Sequence, residues 1–385
     1  MFNEKHKKEM PLLGLLGLGG GIARAGAAKN FFIASGGTET TSGDYKIHTF
    51  NSDDTFQVTA VGDPGANAIE LLVVGGGGGG GGPSPDGPNG GGGGGGVVYI
   101  PVSDDETIIN EIGTYPVVIG QGGAGREPGG PNPSHTVIPG GSSYLSVPSS
   151  IGELNNRIEG VGGGGGYGSN VNAAPPGYPS GPYNHFDGPP FPMGGNPTTG
   201  GDARGPGTFP STGTPLTTSG VGWGGSGGGS KSHGSIGQGT NRSSYPSGPY
   251  NTVNSAPRNF IGDGIQPVMP GLAGQYGHGF PGGFGFTIIG GYRDSGGGGG
   301  AGGYGVPGPG PGGPGSGQDG GPGFSCNISG SNVTYAGGGT GANPPGSTGN
   351  HGGGAHTNRG GGGNAHGGNK PNGYPGVVII KYKYQ

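Results

Sequence analysis

Ile69-Glu70-Leu71-Leu72-Val73-Val74 runs without a break into eight glycines, Gly75–Gly82. The first half is almost continuously apolar, as a strand buried on both faces would be. The second half carries no side chains at all. Polyglycine after such a strand is either a slack tether or a second kind of packing, and the reading of the whole chain depends on which.

Further strand signals cluster at the two ends of the body. Tyr45-Lys46-Ile47-His48-Thr49-Phe50 and Thr55-Phe56-Gln57-Val58-Thr59-Ala60-Val61 flank the turn-rich Asn51-Ser52-Asp53-Asp54, which predicts a hairpin. Val97–Val102 and Tyr115–Ile119 follow with the character of Ile69–Val74. At the far end Val377-Val378-Ile379-Ile380-Lys381-Tyr382-Lys383-Tyr384 starts apolar and becomes alternating. A terminal strand so strongly written is expected to pair with one of the first strands and close the domain. No segment has convincing helical periodicity, although Ile151–Ile158 fits one short turn.

Glycine runs separate these strands: Gly75–Gly82, Gly90–Gly96, Gly162–Gly166, Gly296–Gly300 and Gly360–Gly363. Collagen is excluded, because it needs a strict three-residue repeat with side chains at the other two positions. Flexible linker is the bland reading. The alternative is an extended left-handed helix of the polyproline II type, with three residues per turn and about 3.1 Å rise, so that eight residues span roughly 25 Å. Such a helix satisfies none of its own amides. Packed side by side, however, glycine helices approach closely enough to donate N–H to neighbouring carbonyls and to add Cα–H···O contacts. Any Cβ pointing inward would force them apart. Packed helices explain why the runs admit only glycine, while Pro, Tyr, Asn and Ser gather where the chain turns. The expected fold is therefore all-β: a small β-sandwich-like strand layer combined with packed polyglycine helices and long Pro/Tyr-rich loops, with almost no α-helix.

Composition agrees. Of 385 residues, 111 are glycine and 38 proline, and only 27% are hydrophobic and 10% charged. These proportions exclude a conventional enzyme fold and leave apolar residues for one modest core. The only cysteine is Cys326, so no intrachain disulfide and no thiolate cluster is available. Net charge is −4; Lys5, Lys7, Lys8, Arg24 and Lys29 against Glu4 and Glu9 give the head +3, so the remainder carries −7. A mildly acidic body argues against nucleic acid as a partner.

Residues 1–35 read as an amino-terminal docking segment and 36–385 as the glycine-rich domain. Within the latter, 36–125 is rich in strands, 126–376 holds glycine helices and loops, and 377–385 is the closing strand. The head imitates a secretory signal, with a basic start, Leu12, Leu13, Leu15, Leu16 and Leu18, and small residues around Arg24. Pro11 and the interspersed glycines weaken that reading, and the run is shorter than the ~20 apolar residues of a spanning helix. A peg buried in a partner protein through those five leucines is the preferred expectation over a signal peptide or a membrane anchor.

The side chains lie in the inserts. Tyr178-Pro179-Ser180-Gly181-Pro182-Tyr183-Asn184 recurs letter for letter as Tyr245-Pro246-Ser247-Gly248-Pro249-Tyr250-Asn251. Around these copies stand His185, Phe186, Phe191, Trp223, Phe280, Phe284 and Phe286. Tyrosine and tryptophan among small residues is the composition of recognition loops. The same rings could instead cap the glycine helices as a local core.

Ile69–Val74 with its glycine run, Tyr45–Phe50 ahead of it, Val117-Val118-Ile119-Gly120-Gln121-Gly122-Gly123, Gly296–Gly300 and the closing Gly376–Tyr382 follow one another in an order that resembles the glycine-rich domain of phage tail-fibre and virion proteins. The chain is more loosely similar to the tip adhesins of T-even-type phages. The resemblance covers about Gly36 to Gln385. It implies a non-enzymatic virion protein, a tail-fibre or spike subunit assembled in the host cytoplasm. Its head would dock on other tail or capsid proteins, and its loops would touch a host polysaccharide or outer-membrane protein. Receptor-contact candidates are Tyr178, Tyr183, His185, Phe186, Trp223, Tyr245, Tyr250, Phe280 and Phe284. Fibre subunits are commonly trimeric, so a homotrimer is one state the resemblance allows. The long inserts at 171–215 and 241–286 exceed the family pattern. Two other functions stay open: an architectural or decorating virion protein without a receptor, and a non-viral surface-binding protein of the ice-binding glycine-helix type.

Catalytic and cofactor signatures give nothing. G-x-G-x-x-G occurs by chance throughout, and no Gly-Lys pair exists for a phosphate loop. Asp53-Asp54 and Asp104-Asp105-Glu106 read as solvated turn acids. His351, His356 and His366 lack recognisable metal-ligand spacing. No cofactor, metal or catalytic residue is expected. Asn327-Ile328-Ser329 and Asn332-Val333-Thr334 match glycosylation acceptors, which matter only on a eukaryotic secretory route.

Overall fold

A computed structural model of the chain describes residues 29–81, 89–102, 108–125, 139–147, 157–166, 226, 228, 277–280, 282–283, 295–306, 317–342, 359–365 and 372–385. The described residues are all-β, with thirteen strands. In chain order these are β1 (Phe32–Ser35), β2 (Thr38–Ser42), β3 (Tyr45–Phe50), β4 (Asp54–Val61), β5 (Ile69–Val74), β6 (Val97–Ile100) and β7 (Gly113–Val118). The remainder are β8 (Ser143–Ser146), β9 (Arg157–Gly160), β10 (Gly277–His278), β11 (Phe324–Cys326), β12 (Val333–Tyr335) and β13 (Val377–Lys383). One sheet has the order β1-β4-β7-β8-β9, a second β10-β6-β5-β13-β3-β2, and β11-β12 form a hairpin.

The two large sheets face one another across a shared core. Phe32, Phe56, Val58, Tyr115, Val117, Leu145 and Ile158 come from the first sheet; Phe50, Ile69, Leu71, Val73, Val98, Ile100, Val378, Ile380 and Tyr382 come from the second. Burying each such aliphatic side chain contributes about 1.5–3 kcal/mol before the entropy of ordering it is counted. The opposite face of the second sheet makes a smaller core: Ile47, Leu72, Val74, Val97, Val377 and Ile379 lie under Cys326, Ile328, Tyr335 and Ala336. β5 therefore has core on both sides, and all six of its residues are buried.

The closing strand behaves as expected from its sequence. β13 lies antiparallel between β5 and β3, with Ile379 opposite both Leu72 and Thr49. The expected hairpin does not form. β3 pairs with β2 and β13, whereas β4 pairs with β1 and β7 in the other sheet. Asn51–Asp53 carry the chain from sheet to sheet, so that Phe50 and Phe56 meet edge to face across the core, with centroids 6.3 Å apart. Their alternating apolar residues face each other instead of lying side by side. The short turn expected within Ile151–Ile158 is also corrected where it can be followed: Arg157–Gly160 is β9, and Ile158 is buried in the sandwich. Strand β6 stops at Ile100, two residues before the sequence signal ends.

Beyond the strand ends, the glycine segments continue as a layer joined through main-chain bonds. Gly91 and Gly94 donate to Gly296 and Gly299; Gly92 and Gly95 to Gly363 and Gly360; Gly93 and Gly96 to Gly164 and Val161, all at 2.7–3.2 Å. Successive amides thus address three different neighbours in turn, and the cycle repeats every three residues. Gly75, Gly78 and Gly81 likewise donate to Gly96, Gly93 and Gly90. The segment 75–81 is enclosed on all sides. It donates to 90–96, Gly141 and Tyr374, and it accepts from Gly123, from Gly163 and Gly166, and from Gly363. A Cβ at Gly75 through Gly80 would lie within 3.0 Å of backbone atoms of Val161, Gln121, Gly361, Gly164, Ala124 and Asn364 respectively. The same three neighbours recur in rotation. Main-chain bonds of about 1 kcal/mol net each replace side-chain packing here.

Candidate functional site

Most sequence-predicted contact residues fall outside the described residues: Tyr178, Tyr183, His185, Phe186, Trp223, Tyr245, Tyr250 and Phe284, and the docking leucines Leu12, Leu13, Leu15, Leu16 and Leu18. So do His351, His356 and His366. Phe280 is described, and it leads to a site that the sequence reading did not assemble.

Phe280 follows β10, the edge strand of the six-stranded sheet, and is half-buried. Its ring meets Tyr304 edge to face at 5.0 Å. Two residues earlier, His278 stacks on Phe324 at 4.5 Å, and Phe324 meets Tyr99 at 5.5 Å. These side chains share one side of the layer because alternate residues of a strand point the same way: Gly277 and Gly279 are buried while His278 and Phe280 are partly open. From Tyr99 the row becomes polar. The Tyr99 hydroxyl donates to Glu70 Oε1 at 2.7 Å, and Lys381 Nζ donates to Glu70 Oε2 at 2.8 Å. The same ammonium lies over the Tyr45 ring, 4.9 Å from its centroid. The row therefore crosses β10, β6, β5, β13 and β3, four strand spacings or about 19 Å.

Register explains the assembly. Glu70 stands directly opposite Lys381, and Tyr99 and Tyr45 are their diagonal neighbours on the flanking strands. The Glu70 side chain is only 7% exposed, so its charge is compensated almost entirely by Lys381 and Tyr99. Burial and the bond to Glu70 push the Tyr99 phenol well above its ordinary range. Burial lowers the basicity of His278 and raises the Tyr304 phenol and the Cys326 thiol. The row offers neutral aromatic surface at one end and a compensated charge pair at the other, the composition of a recognition surface. The same contacts would also close the sheet edge as local core, and half-burial is compatible with both.

One sequence signal was available here: Glu70 and Lys381 are opposite charges in two otherwise apolar strands. Tyr99, His278, Tyr304 and Phe324 had no such signal, because β10 and β11 are two and three residues long.

Of the remaining polar candidates, Asp104, Asp105 and Glu106 fall outside the described residues, and Asp53 and Asp54 have structural work. Asp53 Oδ1 accepts from Ile119 N at 2.8 Å, and Asp54 accepts from Gly37 N and Thr55 N. Asn327 and Asn332 are exposed in the β11–β12 turn. Among the described residues no three His, Cys, Asp or Glu gather as a metal ion would require. No helix among them is long and apolar enough to cross a membrane.

The sequence model of a family described as a glycine-rich domain matches residues 49–290, more than half of the chain. The chain belongs to this glycine-rich domain family. The match begins within β3 and spans the glycine segments through 166 together with both Tyr-Pro-Ser-Gly-Pro-Tyr-Asn copies. No curated protein and no solved structure shows significant similarity to the chain.

Proposed function

We propose that this glycine-rich protein is a non-enzymatic structural subunit of a phage particle, a tail-fibre or spike module that touches the host surface through aromatic side chains. The observation that carries the reading is the three-residue hydrogen-bond cycle of the glycine segments. It supports a bundle of polyproline II-type helices, whose repeat is also three. Such a bundle is rigid without a large apolar core, which suits a protein whose main task is to hold loops in place. In sequence the inserts around Tyr178 and Tyr245 fall between Gly166, Ser226 and Gly277, and these three flanking residues are buried. Phe280, Tyr304, His278 and Phe324 add aromatic side chains on the body itself. The partner this chemistry fits is a host polysaccharide or outer-membrane protein, and the leucine-rich head would dock on tail or capsid proteins.

Three measurements test the reading. Mass spectrometry of purified particles is expected to find the chain as a virion component, and its absence from particles would end the proposal. Replacing Tyr178, Tyr183, Tyr245, Tyr250 and Phe280 with alanine is expected to abolish host adsorption while the particles still assemble. Unchanged adsorption would leave an architectural or decorating role. Removing residues 1–28, which precede β1, is expected to release the protein from particles with its body folded.

A further inference from the structure

We propose that His48 and Tyr382 form a proton-controlled latch holding β1 against the body. β1 is an edge strand. It pairs only with β4, and its register shifts between Ile33 and Ala34. At that irregularity the Ala34 N–H donates to the Tyr382 hydroxyl at 3.2 Å, while the Ala34 carbonyl lies 3.3 Å from the same oxygen. The amino-terminal strand is thereby tied to the carboxy-terminal one, 348 residues away.

His48 controls that hydroxyl. Its Nδ1 is 2.7 Å from the Gly36 carbonyl and its Nε2 is 3.0 Å from Tyr382 Oη. A carbonyl only accepts, so Nδ1 carries hydrogen, and in the neutral ring Nε2 then accepts the proton of Tyr382. The hydroxyl oxygen remains free to accept from Ala34. A proton added at Nε2 reverses this bond. Tyr382 Oη must now accept from His48 as well as from Ala34 N–H, and its own proton is left with the longer Ala34 carbonyl contact.

Among the described residues, the only counter-charge for the added proton would be the exposed Glu39 carboxylate, which is shared with Lys46. His48 is fully buried, edge-on to Phe56 of β4 at 5.2 Å and stacked with Tyr382 of β13 at 5.5 Å. Glu39 of β2 is 4.0 Å from Nδ1 but is engaged by Lys46 of β3 at 3.1 Å. From β1 the box is closed by Phe32, whose ring lies 4.7 Å from that of Tyr382. Lifting the four-residue edge strand is the least extensive opening that hydrates an imidazolium here, since local openings cost less than global ones. Burial lowers the basicity of His48 in the folded protein. The stability it confers is therefore complete above the unfolded value of about 6.5 and is lost as pH falls below it.

Hydrogen–deuterium exchange of the full-length protein, corrected for intrinsic rates, tests the latch between pH 8 and pH 5. Peptides covering Phe32–Ser35 are expected to lose protection as pH falls below 6.5, with a limiting slope of about tenfold per pH unit, while β5 and β13 keep theirs. The His48→Gln variant is expected to show no such slope. If that variant fails to fold, Tyr382→Phe keeps the imidazole and removes the hydroxyl, and low β1 protection at every pH is expected. The proposal is overturned by β1 protection that is flat with pH in the native protein, by an unchanged slope in His48→Gln, by native-like β1 protection in Tyr382→Phe, or by loss of all strands together.

Discussion

Gly78→Ala adds a single methyl group at the centre of the glycine layer. Its Cβ would overlap the carbonyl carbon and oxygen of Gly164. Both are backbone atoms, so no side chain can turn aside. Relief requires the segment 160–166 to move away from 75–81, which sacrifices the bonds from Gly163 N to Gly76 O and from Gly166 N to Gly79 O, at 2.7 and 2.8 Å. Two main-chain bonds at about 1 kcal/mol each, plus about 1–3 kcal/mol for overpacking, give a destabilisation of roughly 3–5 kcal/mol. That is a large part of a typical stability of about 5–15 kcal/mol. Gly113→Ala in β7 is the control, because its Cβ would meet nothing nearer than the Tyr115 hydroxyl at 3.5 Å. That change is expected to be neutral or to stabilise by about 0.4–1 kcal/mol through the unfolded chain. Urea unfolding followed by far-ultraviolet circular dichroism compares the two. A Gly78→Ala midpoint equal to that of the native protein or of Gly113→Ala would refute the reasoning.

The charge row gives a second prediction: Lys381→Met strands Glu70 and is expected to cost about 2–4 kcal/mol, while the double variant Glu70→Leu/Lys381→Met recovers most of it, as read from denaturation midpoints. Burial pushes the Tyr382 phenol up to about 12. Because the folded value lies above the unfolded one, its contribution is present below pH 10 and is lost as pH rises toward 12, so alkaline unfolding of Tyr382→Phe is expected to be less steep over that interval. Cys326, buried at the end of β11 between its hairpin and the six-stranded sheet, with its thiol shifted upward, is expected to react with thiol reagents only on unfolding. Rapid stoichiometric labelling of the native protein would contradict the packing of that hairpin.

The strand-rich ends were legible because their signals are local. Ile69–Val74 announces burial on both faces by having no polar face, and the closing strand announces its half-open end by alternating from Lys381 onward. The pairing of Tyr45–Phe50 was not legible. Turn residues at Asn51–Asp54 fit a hairpin or a crossing between sheets equally well, and only the partners on either edge decide. Gly36 and Gly37 mark the nearby turn, with φ of +121° and +61°, and a Cβ at Gly36 would overlap the Thr55 carbonyl. Nothing in isolated glycines distinguishes that demand from the packing demand at Gly78. The aromatic row was hidden for a related reason. Tyr99, His278, Tyr304 and Phe324 are remote in sequence and are brought together by glycine segments whose letters carry no register. Phe280 was found through composition alone, without its partner Tyr304.

Site-resolved amide exchange of Gly75–Gly81 and Gly91–Gly96 in the native protein addresses the backbone-stitched layer most directly. The account predicts protection comparable to that of β5, since Gly75–Gly78, Gly81 and Gly91–Gly96 each donate to a named carbonyl. Exchange at the rate of an unstructured chain would contradict it.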